Sequence, residues 1–215
     1  MIELYNCQRC PRLTDFRAKQ KLLYPDYHCL PVAGIGPNDA NLLIVGLAPG
    51  LHGANASGRP FTGDASGELL FATLSKFGFV NSGSKAANNG YPDLVNCRIT
   101  NAVKCVPPQN RPLGDEIRHC NDYLRTEIKS LPAGSVILAL GTIAHNSVLK
   151  AMHLQQSRLR FAHLAEHVVN DDLTLIDSYH CSRYNTNTRR LTTPMFKAVF
   201  KRARQLIEQA SQNNH

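Results

Sequence analysis

The sequence predicts an α/β sandwich built on a largely parallel sheet. Four apolar runs have the length and composition of strands: "NLLIVGLA" (41–48), "CRITNAVKC" (97–105), "SVILALG" (135–141) and "LTLIDSYH" (173–180). Segments with the apolar spacing of amphipathic helices lie between them. Strands that alternate with helices along a chain usually pair in parallel, so we expect one sheet with helices packed against it.

The helical segments follow the strands in order. They are "SGELLFATLSKFG" (66–78), "LGDEIRHCNDYLRTEIKSL" (113–131), "GTIAHNSVLKAM" (141–152) and "TTPMFKAVFKRARQLIEQA" (192–210). The last of these begins with Thr192 or Thr193 as its N-cap and Pro194 in its first turn. Its apolar stripe consists of Met195, Val199, Leu206 and Ile207. We expect an exposed loop over 80–94 and a frayed tail over 211–215.

Size and composition favour one soluble domain spanning residues 1–215. The chain is 43% hydrophobic and 19% charged, and no apolar run is long enough to cross a bilayer. The N-terminus lacks a secretory signal, so we expect a cytoplasmic protein with no membrane partner. The net charge of +8 and the pI near 9.3 suit a polyanionic partner such as a nucleic acid, although many basic proteins bind nothing acidic.

The number of cysteines, seven, is odd, and a reducing cytoplasm disfavours a disulfide framework. Cys7 and Cys10 form a CxxC, Cys105 ends the second strand run, and Cys120 follows fourteen intervening residues later. Four thiolates suit a structural zinc ion or an iron-sulfur cluster, and buried inert thiols are the third interpretation. The spacing alone leaves these three open.

Polar and aromatic residues follow the strands at the edge where ligands bind in parallel α/β sheets. We expect Phe61, Asp64, Asn101 and His180 to converge there. Each has an alternative interpretation. Phe61 stacks on a base or covers the core, and Asp64 activates water or caps the next helix. Asn101 is disfavoured within a strand unless its amide binds a ligand, and His180 is an anion-stabilising donor or a surface histidine.

Four longer motifs are together similar to one known family. "GLAPGLHGANASGRPFTGDASG", "ITNAVKCVPPQNRP", "ALGTIAH" and "HCSRYNTNTRRLT" resemble the iron-sulfur uracil-DNA glycosylases, specifically the type B branch, family 5. The resemblance covers nearly the whole chain. It implies a three-layer α/β/α fold with a central four-stranded, mostly parallel sheet, in a bacterial or archaeal-type, nucleoid-associated monomer.

The resemblance also implies a cofactor and a set of site residues. Cys7, Cys10, Cys105 and Cys120 would hold a structural 4Fe-4S cluster. Asp64 and His180 would be catalytic, and the residues that bind the flipped base would be Gly46, Ala48, Phe61 and Asn101. Contacts to DNA would come from Arg59, Arg183, Tyr184, Arg189 and Arg190, with Arg183 and Tyr184 in a loop that enters the duplex.

Three positions depart from the motifs of related branches. Leu47 stands where family 4 has an acidic residue, which favours the type B branch and a roomier pocket. Cys181 replaces a proline that stiffens the loop after His180. Arg189 replaces a glycine, and a positive φ at this position would strain an arginine.

The function that this resemblance implies is hydrolysis of the N-glycosidic bond of uracil in DNA after the base is flipped out. It extends to thymine mispairs, hypoxanthine and ethenocytosine. Strand cleavage is not expected, although Lys104 could form a Schiff base. Two alternatives remain open: a catalytically altered DNA-binding relative, and a small-molecule hydrolase on the same fold.

Overall fold

A five-stranded sheet forms the centre of the protein, whose computed structural model describes residues 4–81 and 92–213. In chain order, the strands are β1 (Leu42–Gly46), β2 (Val80–Asn81), β3 (Asp93–Leu94), β4 (Cys97–Asn101), β5 (Ser135–Leu140), β6 (Glu166–Asn170) and β7 (Leu173–Ser178). Strands β2 and β3 pair with each other in a separate two-stranded sheet. The main sheet has the order β4-β1-β5-β7-β6, in which only β6 is antiparallel to its neighbour.

Seven helices accompany the strands in the described part of the chain. They are α1 (Pro11–Leu23), α2 (Ala54–Ser57), α3 (Ala65–Lys76), α4 (Gly114–Lys129), α5 (Thr142–Ala151), α6 (Arg183–Asn187) and α7 (Thr193–Asn213). Two 3-10 turns, Leu4–Asn6 and Pro108–Asn110, complete the elements. Within these ranges no helix is long and apolar enough to span a bilayer.

Helices cover both faces of the sheet, which confirms the three-layer α/β/α fold. On one face α3 and α7 pack on the strands through side chains such as Leu70 and Phe196. On the other face α4 and α5 pack through Leu124 and Val148. The strand residues alternate between these two cores, and β1 is buried along its whole length. A parallel sheet covered on both faces explains the continuous apolar runs in the sequence.

The sheet contains one more strand than the four that the sequence predicts. The fifth strand, β6, lies at an edge and pairs antiparallel with β7. Only Val169 of this strand is buried, and the Val168 side chain is 77% exposed. An edge strand with one solvated face carries little apolar signal, so periodicity did not reveal it.

Helix α7 begins as the sequence predicts. The Thr192 hydroxyl accepts a hydrogen bond from the Met195 main-chain N–H at 3.3 Å, which makes Thr192 the N-cap. Val199 and Ile207 are buried, and Met195 and Leu206 pack against the same core. The helix continues to Asn213, beyond the predicted end, and residues 214–215 lie outside the described part. Most of the predicted 80–94 loop, residues 82–91, also lies outside it.

Candidate active site and four-cysteine site

A cavity of about 320 Å³ opens at the carboxyl edge of the parallel strands. The segments after β1, β4 and β7 form its walls, as expected for an open α/β sheet. Phe61, Asp64, Asn101 and His180 all line this cavity, together with Ala48. Its other lining residues are Leu47, Gly50, Ala54, Ser66, Asn110 and Ser182. The four residues that the sequence singles out are therefore neighbours in space.

Phe61 is held in place by two glycines. Its ring packs on Gly46, where an added Cβ would lie 2.7 Å from the ring and 2.4 Å from Asn101 Oδ1. The Phe61 carbonyl packs on Gly67, where an added Cβ would lie 1.9 Å from the oxygen. Both contacts exclude any side chain at these two positions. Gly46 thus makes room for the side chains of Phe61 and Asn101.

Asn101 and His180 offer free polar atoms to the cavity. Asn101 ends β4 and is 3% exposed, and its amide makes no hydrogen bond within residues 4–81 and 92–213. The His180 ring lies nearly parallel to the Phe61 ring, with centroids 5.9 Å apart and an interplanar angle of 23°. Burial lowers the pKa of His180, and the nearby Asp64 carboxylate only partly opposes this effect. The imidazole is therefore neutral at neutral pH and can donate one hydrogen bond.

The two carboxylate oxygens of Asp64 have different surroundings. Its Oδ1 accepts the Gly67 main-chain N–H at 2.9 Å, so the residue is the N-cap of α3. Its Oδ2 points the other way, over the glycine segment after β1. An added Cβ would lie 3.3 Å from this oxygen at Gly53 and 3.8 Å at Gly50. One oxygen thus fixes the side chain while the other faces the cavity.

The segment after β7 is tethered to the start of α3. Cys181 is 1% exposed, and its thiol donates to the Ser66 carbonyl at 3.5 Å. Burial raises the pKa of this thiol to about 12, so it packs as a neutral group. Cys181 therefore anchors the His180 segment by packing, at the position where related motifs have proline.

Asn110 and Ser182 line the cavity although the sequence analysis did not single them out. Asn110 has a positive φ of 55° at the end of the 3-10 turn. Asparagine is one of the few residues that tolerates this conformation, and its place in "PPQNRP" was the available signal. Ser182 caps α6 by accepting the Asn185 main-chain N–H at 3.4 Å.

Arg183 and Tyr184 form the first turn of helix α6, so the predicted loop is helical at these positions. The serine cap and the "SRYNTN" sequence give a helix too short for periodicity to detect. Tyr184 is 73% exposed, and Arg183 is exposed beside it. Both side chains are thus free to contact a large ligand that covers the cavity.

The other predicted DNA-contacting arginines have different surroundings. Arg190 is exposed, and its guanidinium lies 4.7 Å from the centroid of the Tyr179 ring, a cation–π contact. Arg59 is half-buried in the turn between α2 and Phe61, where its main-chain N–H donates to Ser57 Oγ at 3.3 Å. Arg189 is exposed and has a positive φ of 57°. The left-handed conformation anticipated at this position is therefore present.

We expect Arg189→Gly to raise the free energy of unfolding by roughly 0.5–1 kcal/mol. An L-residue in the left-handed region costs about 1–2 kcal/mol, and the added freedom of glycine in the unfolded chain offsets part of this gain. Equilibrium denaturation in urea measures the change. Arg190→Gly is the matched control, which should not stabilise because it removes the stacking on Tyr179. A destabilised Arg189→Gly protein would show that the arginine side chain outweighs the backbone strain.

Four cysteines line a second cavity, beside the segment that follows β4. Cys7, Cys10, Cys105 and Cys120 come from the N-terminal segment, the segment after β4 and helix α4. All are free thiols, as are the other three cysteines of the described chain. Apolar side chains close around the four, including Leu13. The structure therefore brings together the four cysteines that the family resemblance indicates.

This donor set fits a metal centre that takes four thiolates. Burial raises the pKa of Cys105 to about 12 and that of Cys120 to about 11, so a cation is needed to hold them as thiolates. The Lys104 main-chain N–H donates a hydrogen bond to Cys120 Sγ at 3.2 Å, a contact that would also stabilise a thiolate. Cys29 lies apart from this cavity, as does Cys97.

Lys104 forms a buried ion pair and does not line the 320 Å³ cavity. Its side chain is 2% exposed, and Nζ donates to Glu127 at 2.6 Å and to the Thr100 hydroxyl. Glu127 also pairs with Arg98 at 3.1 Å. Breaking a buried pair costs about 3–5 kcal/mol, so Lys104 is not available as a nucleophile in the cavity.

The fold and the site define a class of protein. Residues 33–204 match the model of the uracil DNA glycosylase superfamily, so the chain belongs to this superfamily of DNA-acting hydrolases. Within it, the chain belongs to the type-5 branch. It is 39% identical to the type-5 uracil-DNA glycosylase of Thermus thermophilus over 93% of each chain. It is also 39% identical to that of Pyrobaculum aerophilum, over 93% of this chain and 88% of the relative.

A third relative extends the match to another group of bacteria. The type-5 uracil-DNA glycosylase of Mycobacterium leprae is 38% identical over 93% of this chain and 91% of its own length. These comparisons confirm the family that the four sequence motifs indicate.

Proposed function

We propose that this protein excises uracil from DNA by hydrolysing its N-glycosidic bond. The observation that carries this proposal is the cavity in which one carboxylate oxygen, one free amide, one neutral imidazole and one aromatic ring face the same space. Its volume is at the lower end of the range for small-ligand pockets, about 300–1,000 Å³. The names and similarity of the type-5 relatives support the assignment.

Each residue has a role in the proposed reaction. The uracil leaves the base stack, at a cost of about a few kcal/mol, and its ring stacks on Phe61. The Asn101 amide can pair with the Watson–Crick edge of the base because it donates and accepts side by side. As the bond breaks, negative charge develops on the leaving uracil. The neutral His180 donates a hydrogen bond to this charge.

Asp64 acts on the sugar side of the bond. Its free Oδ2 orients a water molecule toward C1′ and stabilises the positive charge that develops on the sugar. The products are free base and an abasic site. The pairing of Lys104 with Glu127 supports a monofunctional enzyme that leaves the DNA strand intact.

The four-cysteine cavity holds a structural 4Fe-4S cluster in this proposal. The convergence of the four thiols and the type-5 similarity support it. A cluster held by these cysteines would crosslink the N-terminal segment to α4 and to the segment after β4, the strand that ends at Asn101. The protein acts as a monomer on duplex or single-stranded DNA, in the cytoplasm.

The pocket also supports a broader choice of bases. In the segment after β1, its lining consists of Leu47, Ala48, Gly50 and Ala54. These residues present no charged or hydrogen-bonding side chain that would reject an altered base. We therefore include thymine mispairs, hypoxanthine and ethenocytosine among the proposed substrates.

An excision panel tests the proposed function. Duplexes that each carry one uracil, mispaired thymine, hypoxanthine or ethenocytosine are incubated with the cluster-loaded protein and treated with hot alkali to reveal abasic sites. We expect excision of uracil, no strand cleavage before alkali, and no borohydride-trapped adduct. Tight, salt-dependent binding to an abasic duplex without any excision would instead identify a DNA-binding relative that lacks activity.

We expect Tyr184→Ala to reduce excision from duplex DNA more than from single-stranded DNA. Tyr184 is exposed beside the cavity, and only a duplex must be pried open and kept open. Alanine keeps the propensity of α6, so the loss reports on the side chain. The measurement is the ratio of single-turnover rates on the two substrates, with the exposed Val168→Ala on edge strand β6 as control. Equal losses on both substrates would assign Tyr184 a different role.

A further inference from the structure

Three side chains of types that commonly bind metal ions lie together outside both sites described above. His145 of α5, His167 of β6 and Asp177 of β7 present donor atoms that all lie within 4.8 Å of one another. His145 Nδ1 is 2.8 Å from Asp177 Oδ1, and His167 Nε2 is 3.1 Å from Asp177 Oδ2. None of the three lines the 320 Å³ cavity or the four-cysteine cavity.

The tautomer of His145 is fixed by a main-chain contact. Its Nε2 lies 2.9 Å from the Leu159 carbonyl, which can only accept a hydrogen bond, so this nitrogen carries a proton. If the ring is neutral, Nδ1 then has no proton, and its lone pair faces the Asp177 carboxylate. Two lone pairs at 2.8 Å repel, so a cation must lie between them. This cation is either a second proton on His145 or a metal ion.

The surroundings provide no other positive charge for this carboxylate. Asp177 is 0% exposed, and its ion-pair partners within the described residues are the two histidines alone. Phe161 closes the site beside His145, with ring centroids 5.8 Å apart in an edge-on arrangement. A buried carboxylate normally requires a paired cation or a metal ion.

The contact of His145 Nε2 with a main-chain carbonyl is the one that a metal-bound histidine usually makes. A ligating imidazole usually donates its other ring N–H to a main-chain carbonyl or a carboxylate, as His145 does to Leu159. Two imidazoles and one carboxylate are the protein ligands of several zinc sites. The His167 side chain is 11% exposed at the sheet edge, so this member of the cluster is in contact with solvent.

We propose that His145, His167 and Asp177 form a binding site for one divalent transition-metal ion of the Zn²⁺ class. The ion replaces the proton between His145 and Asp177, so binding releases one proton per ion. It crosslinks α5, β6 and β7, and β7 leads within three residues from Asp177 to His180. The site is independent of the glycosylase reaction and of the four-cysteine site.

The test counts metal in the cluster-loaded protein. After treatment with a chelating resin, the protein is dialysed at pH 8 against buffered free Zn²⁺, and zinc and iron are measured together by mass spectrometry. We expect one zinc ion per chain more than in His145→Gln or His167→Gln, with unchanged iron. The affinity should weaken about tenfold per pH unit below the point where the released proton rebinds.

Two controls keep the result decisive. His153→Gln removes an exposed histidine outside the cluster and should bind as much zinc as the wild-type protein. His167→Gln alters a sheet edge and should fold even if His145→Gln does not. Equal zinc in the wild-type protein and His167→Gln, or zinc that enters only as iron leaves, would overturn the proposal. So would imidazole ¹⁵N shifts showing both His145 nitrogens protonated at pH 8 with Zn²⁺ present.

Discussion

Asp64→Asn should lower the single-turnover rate of uracil excision by roughly two orders of magnitude or more, the usual scale for a positioned catalytic base. The substitution leaves an oxygen that can still accept the Gly67 main-chain N–H, so the cap on α3 survives. It replaces the cavity-facing Oδ2 by an NH₂ group. An amide nitrogen cannot accept a proton from water or offset positive charge on the sugar.

The cap that Asp64 Oδ1 provides makes it possible to test capping and catalysis separately. If capping were the whole role of Asp64, Asn would serve nearly as well, and both rate and stability would be retained. Asp64→Ala separates the two roles, because it should also cost about 1 kcal/mol of unfolding free energy through the lost cap. Glu68→Gln is the matched control, since it neutralises an exposed carboxylate in the first turn of the same helix.

The outcome that would contradict this role is plain. A fully active, normally folded Asp64→Asn protein would remove Asp64 from the mechanism and leave His180 and Asn101 as the reacting groups. Affinity for an abasic duplex should be little changed in every case, because losing a negative charge does not weaken phosphate attraction.

The parts of the fold that could be predicted from the sequence are those whose burial is continuous. Strands β1, β4, β5 and β7 are buried on both faces and stand out as apolar runs. Helix α1 was missed because two of its three buried residues are Arg17 and Gln20, which hide the apolar stripe. Strand β6 was missed because it is an edge strand with one solvated face.

The site could be predicted as a set of residues but not as a geometry. Sequence placed Phe61 and His180 at the correct edge of the sheet, because strand ends meet there. It could not show that one oxygen of Asp64 caps α3 while the other faces the cavity, because this depends on the rotamer of the side chain. Nor could it place Asn110 in the lining, because a turn of "PPQNRP" has no periodicity to orient it.

The second large effect concerns the four-cysteine site. Cys105→Ala and Cys120→Ala should each lose the brown chromophore near ~400 nm that is expected of a thiolate-bound iron cluster, together with its iron. Both thiols are buried among apolar side chains, in the small core where the N-terminal segment, the segment after β4 and α4 meet. Because metal-binding energy is folding energy in such a site, the Tm should fall by on the order of 10 °C.

Cys97→Ala is the control that separates loss of the cluster from loss of packing. Cys97 is 0% exposed in β4, so its truncation should cost about 1 kcal/mol, or about 2–4 °C in Tm, and keep the full iron content. Iron analysis, absorbance and thermal denaturation of anaerobically purified proteins give the comparison. Colourless wild-type protein with one zinc per four thiols would replace the cluster by a structural zinc ion. Full iron retention in Cys105→Ala or Cys120→Ala would remove that cysteine from the ligand set.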